Sequence, residues 1–165
     1  MNNKYISHLI LGVRIYAVTM KDALACAEEM IRSDKPHVVA TANAEMVMLA
    51  REDEELFNIL NRCSLVVPDG AGILWAGDVL GYPFPERVTG ADYTEELLRL
   101  ATRESWPVYF LGGAPGVAEK AIRRFSERNG KFPLAGVHDG YFDEREEKKT
   151  VSYTHLRAHE TLRYL

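Results

Sequence analysis

Apolar and polar positions along the chain switch repeatedly between the twofold alternation of strands and the 3.6-residue repeat of helices. Ile6–Tyr16 is rich in β-branched and aromatic residues and is broken at Gly12, which predicts a pair of short strands. Thr19 and Asp22 have capping-box spacing, so a helix should start at Met20. Its apolar positions Met20, Ala23, Leu24, Ala27, Met30 and Ile31 share one face, and Lys35-Pro36 ends it. His37–Ala42 reads as a short apolar strand, followed by helical stretches over Ala44–Ala50 and Glu54–Asn61. Leu65–Val67 is a strand of the buried type that stops at Pro68-Asp69-Gly70. A helix over about Ile73–Leu80 then runs into the breaker-rich loop Gly81–Pro85.

Thr89 and Asp92 repeat the capping-box spacing ahead of a helix with Tyr93, Leu97, Leu100 and Ala101 on one face. Pro107–Leu111 is a strand, Gly112–Gly116 a turn, and Val117–Asn129 a helix with Ala118, Ala121, Ile122 and Phe125 inward. Gly130 suits a left-handed terminator. Phe132–Val137 is a further strand, closed by Asp139-Gly140. Strands alternating with helices of this length predict an α/β fold with a mostly parallel sheet. Asp143–Lys149 is a dense charge run, and Thr150–Leu165 mixes histidines, arginines and apolar residues without a period, so the expected next helix–strand unit is missing.

Composition narrows the classes. A chain of 165 residues is one domain of ordinary size and needs no disulfide or metal staple. Hydrophobic residues at 47 % and charged residues at 27 % are globular values. A net charge of −4 gives no bulk electrostatic case for nucleic acid. Cys26 and Cys63 form no CxxC, which argues against structural zinc and for a reducing compartment. No run approaches the ~18 apolar residues of a spanning helix, and the start has no signal-peptide pattern.

In open α/β sheets, ligands collect at the carboxyl ends of strands. That rule selects Thr41–Glu45, Pro68–Gly70 and Gly112–Gly116, each between a strand and a helix, so that all could face one crevice. Asp69 is either a simple turn residue or a strand-end carboxylate placed to take a proton from a hydroxyl. Thr41 and Asn43 could cap the next helix or hydrogen-bond a sugar, and Glu45 suits a first helical turn in any case. The glycines at 112, 113 and 116 allow close backbone approach to a phosphate, although the spacing is neither GxGxxG nor a Walker loop. Arg87 is solvated, paired with Glu86 or Asp92, or poised for a diphosphate. His8 and His37 read as structural histidines. His155 and His159 have i, i+4 spacing without an HExxH glutamate, which discounts them as metal ligands.

Taken jointly and in order, TANAEMVMLAR, LVVPDGAGILWA, PERVTGAD, VYFLGGAPGVAEKA and HDGYFD resemble the WecG/TagA/CpsF family of bacterial glycosyltransferases, from about Ile10 to Lys149. The resemblance implies a Rossmann-like fold with its active site at the carboxyl edge of the sheet. It implies transfer of N-acetylmannosamine, or its uronic acid, from a UDP-sugar to the 4-hydroxyl of N-acetylglucosamine on undecaprenyl diphosphate. The linkage would be β-1,4, formed with inversion and without an essential metal or other cofactor, for teichoic-acid linkage units or related surface polysaccharides. Nucleic acid is not an expected partner. By the family's motif, Asp69 is the base, and Thr41 and Asn43 are polar neighbours at the substrate. Arg87 meets phosphate, Gly112 and Gly113 form the nucleotide-side turn, and Asp139, Gly140 and Tyr141 form a following loop.

Family members continue with further strand–helix units and an arginine-rich appendage that approaches the membrane, which implies a cytoplasmic enzyme peripheral to the inner face of the plasma membrane. The stretch VSYTHLRAHETLRYL instead resembles translated sequencing-adapter sequence. The expectation is therefore a glycosyltransferase portion over 1–149, incomplete at its C-terminal side, and a non-family tail over 150–165. Two other readings follow from the residues: an inactive fragment or binding scaffold, and a nicotinamide dinucleotide enzyme using the Gly112–Gly116 turn. The second lacks an acidic residue at a strand end about 20 residues on.

Overall fold

Leu11 and Gly12 both take left-handed φ values, 49° and 86°. Positive φ at both central positions is what a two-residue turn needs to match strand twist. The turn joins β1 (Ser7–Ile10) to β2 (Val13–Tyr16) as an antiparallel hairpin with Ile10 opposite Val13. The computed structural model describes residues Tyr5–Tyr141, and the chain divides into units 1–96 and 97–165.

In the first unit, α1 (Met20–Ile31) begins with the predicted capping box. The Thr19 hydroxyl accepts from the Asp22 N–H, and the Asp22 carboxylate accepts from the Thr19 N–H. The helix stops at Ile31, short of Lys35-Pro36. Its end turns into a bend in which the Ser33 N–H and hydroxyl both donate to the Met30 carbonyl. His37 bridges Ser33 (2.7 Å) and Ser64 (2.8 Å), and His8 stacks on Tyr82, so both are structural histidines as expected.

β3 (Val39–Ala42) and β4 (Leu65–Pro68) run parallel, with Ala42 opposite Pro68. All four residues of β4 are buried, the continuous apolar run of a strand covered on both faces. Complete burial of a Leu or Val stabilises the fold by about 1.5–3 kcal/mol each. Ile10, Val13, Ile15, Ala42, Val47, Leu60, Val66 and Ile73 continue this core. Between the strands lie α2 (Ala44–Leu49), capped by Asn43, and α3 (Glu54–Arg62), capped by Asp53. α4 (Ala71–Leu80) starts two residues earlier than expected, with Gly70 as its N-cap. Gly77 is buried there with no space for a side chain, since a Cβ would lie 2.5 Å from the Tyr82 carbonyl oxygen and 2.7 Å from Phe84.

α5 (Gly90–Glu104) opens with Thr89 accepting from the Asp92 N–H and donating its hydroxyl to the Asp92 carboxylate at 2.6 Å. The Tyr93 hydroxyl donates to the Ala23 carbonyl of α1, and the ring is buried.

In the second unit, β5 (Val108–Leu111) and β6 (Leu134–His138) form another parallel pair with an irregularity after Val108, and α6 (Val117–Asn129) contacts β6. Phe125 and Phe132 are its buried aromatics. Ala121, expected inward, is exposed, because a two-stranded ladder offers α6 a narrow face. Gly130 differs from the left-handed terminator expected: its φ of 90° is positive, but its ψ of 171° is extended. The described residues thus form an α/β arrangement of two parallel strand pairs and one antiparallel hairpin, consistent with a Rossmann-like fold built from small sheets. Among them, no helix is long and apolar enough to cross a membrane.

Candidate active site

Asp69 is the first residue past β4, and its position is set by backbone bonds on both sides. Its N–H donates to the Ala42 carbonyl at 2.8 Å, which ties it to the end of β3. Immediately before it, the Pro68 carbonyl accepts from the Val88 N–H at 2.9 Å, bringing the 82–89 loop onto the strand end. That loop delivers the start of α5, and the Gly90 N–H donates to Asp69 Oδ2 at 3.0 Å. The carboxylate is half-buried and in no ion pair among the described residues. One oxygen is thus anchored, and Oδ1 accepts no hydrogen bond among the described residues.

Thr41, in β3, comes to the same spot. A Cβ built on Gly90 would lie 3.1 Å from Thr41 Oγ1 and 3.5 Å from Asp69 Oδ2. Asn43 is adjacent: a Cβ on Gly70 would lie 3.9 Å from the Asn43 Cβ. Asn43 also caps α2, accepting from the Met46 N–H at 2.8 Å, so the helix-cap reading is correct for Asn43, while Thr41 lies within the strand. The exposed amide of Asn43 keeps its Nδ2 donors available. α4 begins beside Asp69 without a side-chain cap, leaving first-turn N–H groups open to a ligand.

Arg87 is exposed and in no ion pair among the described residues. The two carboxylates it could have met are otherwise engaged: Glu86 accepts from the Met20 N–H, and Asp92 from the Thr89 hydroxyl. Glu45 is exposed in the first turn of α2.

Within the second unit, the other predicted residues gather among themselves. The Gly112 N–H donates to the His138 carbonyl at 3.0 Å, and the Gly140 N–H donates to the Gly113 carbonyl at 2.9 Å. The turn after β5 and the turn after β6 are therefore back to back. Asp139 Oδ1 accepts from the Tyr141 N–H at 2.9 Å, a local turn closure that leaves the Tyr141 ring exposed. α6 also starts without a side-chain cap, behind Gly116.

Sequence reasoning missed Gly90. Its signal was present, a glycine at the first position of a capped helix where helix propensity does not favour it. It also missed the uncapped start of α4, signalled by the Gly70 and Gly72 pair directly after a strand. Among the described residues, no three His, Cys, Asp or Glu side chains form a group able to hold a metal ion. The His155–His159 pair and the Asp143–Lys149 charge run lie outside the described residues. A groove of about 520 Å³ beside α3, lined by Glu54, Glu55, Asn58, Ile59 and Arg62, shares no residue with either cluster.

Asp69, Thr41 and Asn43 thus meet at the carboxyl ends of β3 and β4, on an α/β scaffold with glycine turns. The sequence profile of the glycosyl transferase WecG/TagA/CpsF family matches residues 8–160, and the chain belongs to that family. The match runs past Lys149, where the motif-by-motif resemblance ends. Relatives include the N-acetylglucosaminyldiphosphoundecaprenol N-acetyl-beta-D-mannosaminyltransferase of Bacillus subtilis, 26 % identical over 66 % of this chain and 42 % of the relative. The protein of the same name from Bacillus spizizenii is 28 % identical over 69 % of this chain and 44 % of its own. The one from Staphylococcus aureus is 30 % identical over 84 % of this chain and 55 % of its own. The chain spans about half the length of the curated relatives it matches.

Proposed function

We propose that the enzyme to which this sequence belongs transfers N-acetylmannosamine, or its uronic acid, from a UDP-sugar to the 4-hydroxyl of N-acetylglucosamine carried on undecaprenyl diphosphate. The product would enter teichoic-acid or related surface-polysaccharide synthesis at the inner face of the plasma membrane. Family membership and the names of the relatives support the substrate classes. The observation that carries the mechanism is Asp69, held through one oxygen by the Gly90 N–H and not neutralised by a cation among the described residues.

In the proposed reaction the acceptor O4 attacks the anomeric carbon as the bond to the UDP oxygen breaks. The configuration inverts because attack comes from the face opposite the leaving group, through an oxocarbenium-like state. Asp69 Oδ1 takes the O4 proton, a role typically worth about 10²–10⁴ in rate. Thr41 and Asn43 offer short hydrogen-bonding groups to the sugar. Arg87 meets phosphate with a planar fork and a fixed charge. For the nucleotide side, the family resemblance points to the Gly112-Gly113 turn and the Asp139-Gly140-Tyr141 loop beside it. On this reading, the charge leaving with UDP is stabilised by arginine and backbone donors without an essential metal.

The test is Asp69→Asn, assayed with UDP-N-acetylmannosamine and a soluble lipid-diphosphate acceptor analogue. The amide retains the shape and can still accept from Gly90, but it is no base. Turnover should fall by about 10²–10⁴ while UDP affinity stays within about twofold. Near-normal turnover would remove Asp69 from the mechanism and leave it a remote cap for α5.

A further inference from the structure

Gly90 is the first residue of α5, and its N–H belongs to the set of helix-start donors with no partner inside the helix. Thr89 caps the helix locally by accepting from the Asp92 N–H. The Gly90 N–H goes instead to Asp69 Oδ2, a residue 21 positions earlier in the chain. The approach leaves almost no room. An added Cβ would stand 3.1 Å from Thr41 Oγ1, 3.3 Å from Thr41 Cγ2 and 3.5 Å from Asp69 Oδ2. The backbone of Gly90 is not in the left-handed region, so its φ does not require glycine there. Alanine would in fact favour the helix. The local chain therefore supplies no reason for a glycine, whereas the Thr41 side chain in front of it does; Asp69 Oδ2, at 3.5 Å, would be in ordinary contact.

We infer that Gly90 is a positioning residue for the transfer reaction: its lack of a side chain lets Thr41 and Asp69 share one spot, and its N–H fixes which carboxylate oxygen remains open. The inference rests on the proposed role of Asp69 as base. A methyl group at position 90 must displace the Thr41 side chain, or the start of α5 and with it the N–H that holds Asp69, by a few tenths of an ångström or more. Displacements approaching 1 Å at a reacting group cost on the order of 10²-fold in rate.

The experiment is Gly90→Ala in the full chain, read in two ways. In transfer assays kcat should fall about 10–100-fold with little change in the KM of the donor, while the melting temperature stays level or rises. Independently of activity, the amide resonance of Gly90 should move clearly in Asp69→Asn, because its hydrogen-bond acceptor is changed. Wild-type kcat in Gly90→Ala overturns the inference, and so does a Gly90 amide indifferent to Asp69→Asn. If the unsubstituted chain transfers no sugar while its Gly90 amide still follows Asp69, the positioning stands and the proposed reaction fails.

Discussion

The chain places an Asp-Gly pair after a parallel strand twice, at Asp69-Gly70 behind β4 and at Asp139-Gly140 behind β6. The local sequence is alike, but the fate of the carboxylate is not. Asp139 Oδ1 accepts from the N–H two residues on and closes its own turn. Asp69 makes no such closure; a helix start brought in by the 82–89 loop holds it. The strands beneath differ in the same sense, with β4 buried throughout and β6 only partly covered. A carboxylate closing its own turn stabilises a loop. One gripped from a distance, on a strand that cannot shift, keeps a fixed direction and an open oxygen, which is what a base requires.

The sharpest way to break this contrast is to remove both acids. Beside the Asp69→Asn loss in kcat, Asp139→Ala should act mainly through the donor, raising its KM about three- to tenfold because a backbone turn loosens. Equal losses of kcat at the two positions would show that the two turns are not chemically distinct. Next in size is the foundation of each. Leu65→Ala, in the buried β4, should cost about 2–5 kcal/mol in urea unfolding. Val137→Ala, in the partly covered β6, should cost about 1 kcal/mol.

The smallest effect is a pH response specific to the first site. Burial, with the nearby Cys26 thiolate as a secondary cause, pushes the Tyr93 hydroxyl up to about 12. The neutral phenol is then favoured by folding. Its contribution is complete below pH 10 and is lost as pH rises through 10 to 12, where the unfolded chain ionises first. Because Tyr93 ties α5 to α1 three residues after Gly90, melting temperature should decline over that window, and Tyr93→Phe should flatten the decline.

Much of the fold was legible because its signals are local. Both threonine boxes, the hairpin break at Gly12 and the strand–helix alternation follow from residues within a turn of each other. Errors fall where a backbone bend, a glycine conformation or a distant partner decides. α1 ends early because Ser33 folds back on Met30 and meets His37, and α4 begins early because Gly70, at a positive φ of 88°, turns the chain into the helix. The same division holds for the site. Asn43 as a cap and Asp69 as a strand-end acid could be read from neighbours. For Gly90 the odd glycine at a helix start was visible but its role was not, since its partner lies 21 residues away and the two meet only after the 82–89 loop has docked on β4.

Gly77 has a consequence for divergence among related sequences. With the Tyr82 carbonyl 2.5 Å from where any side chain would begin, neither the helix at this point nor the loop beyond it can drift alone. A homologue bearing alanine there must also carry a longer or rerouted loop at 82–84, so the two should change together across lineages, as a matched pair of mutations rather than a gradual series.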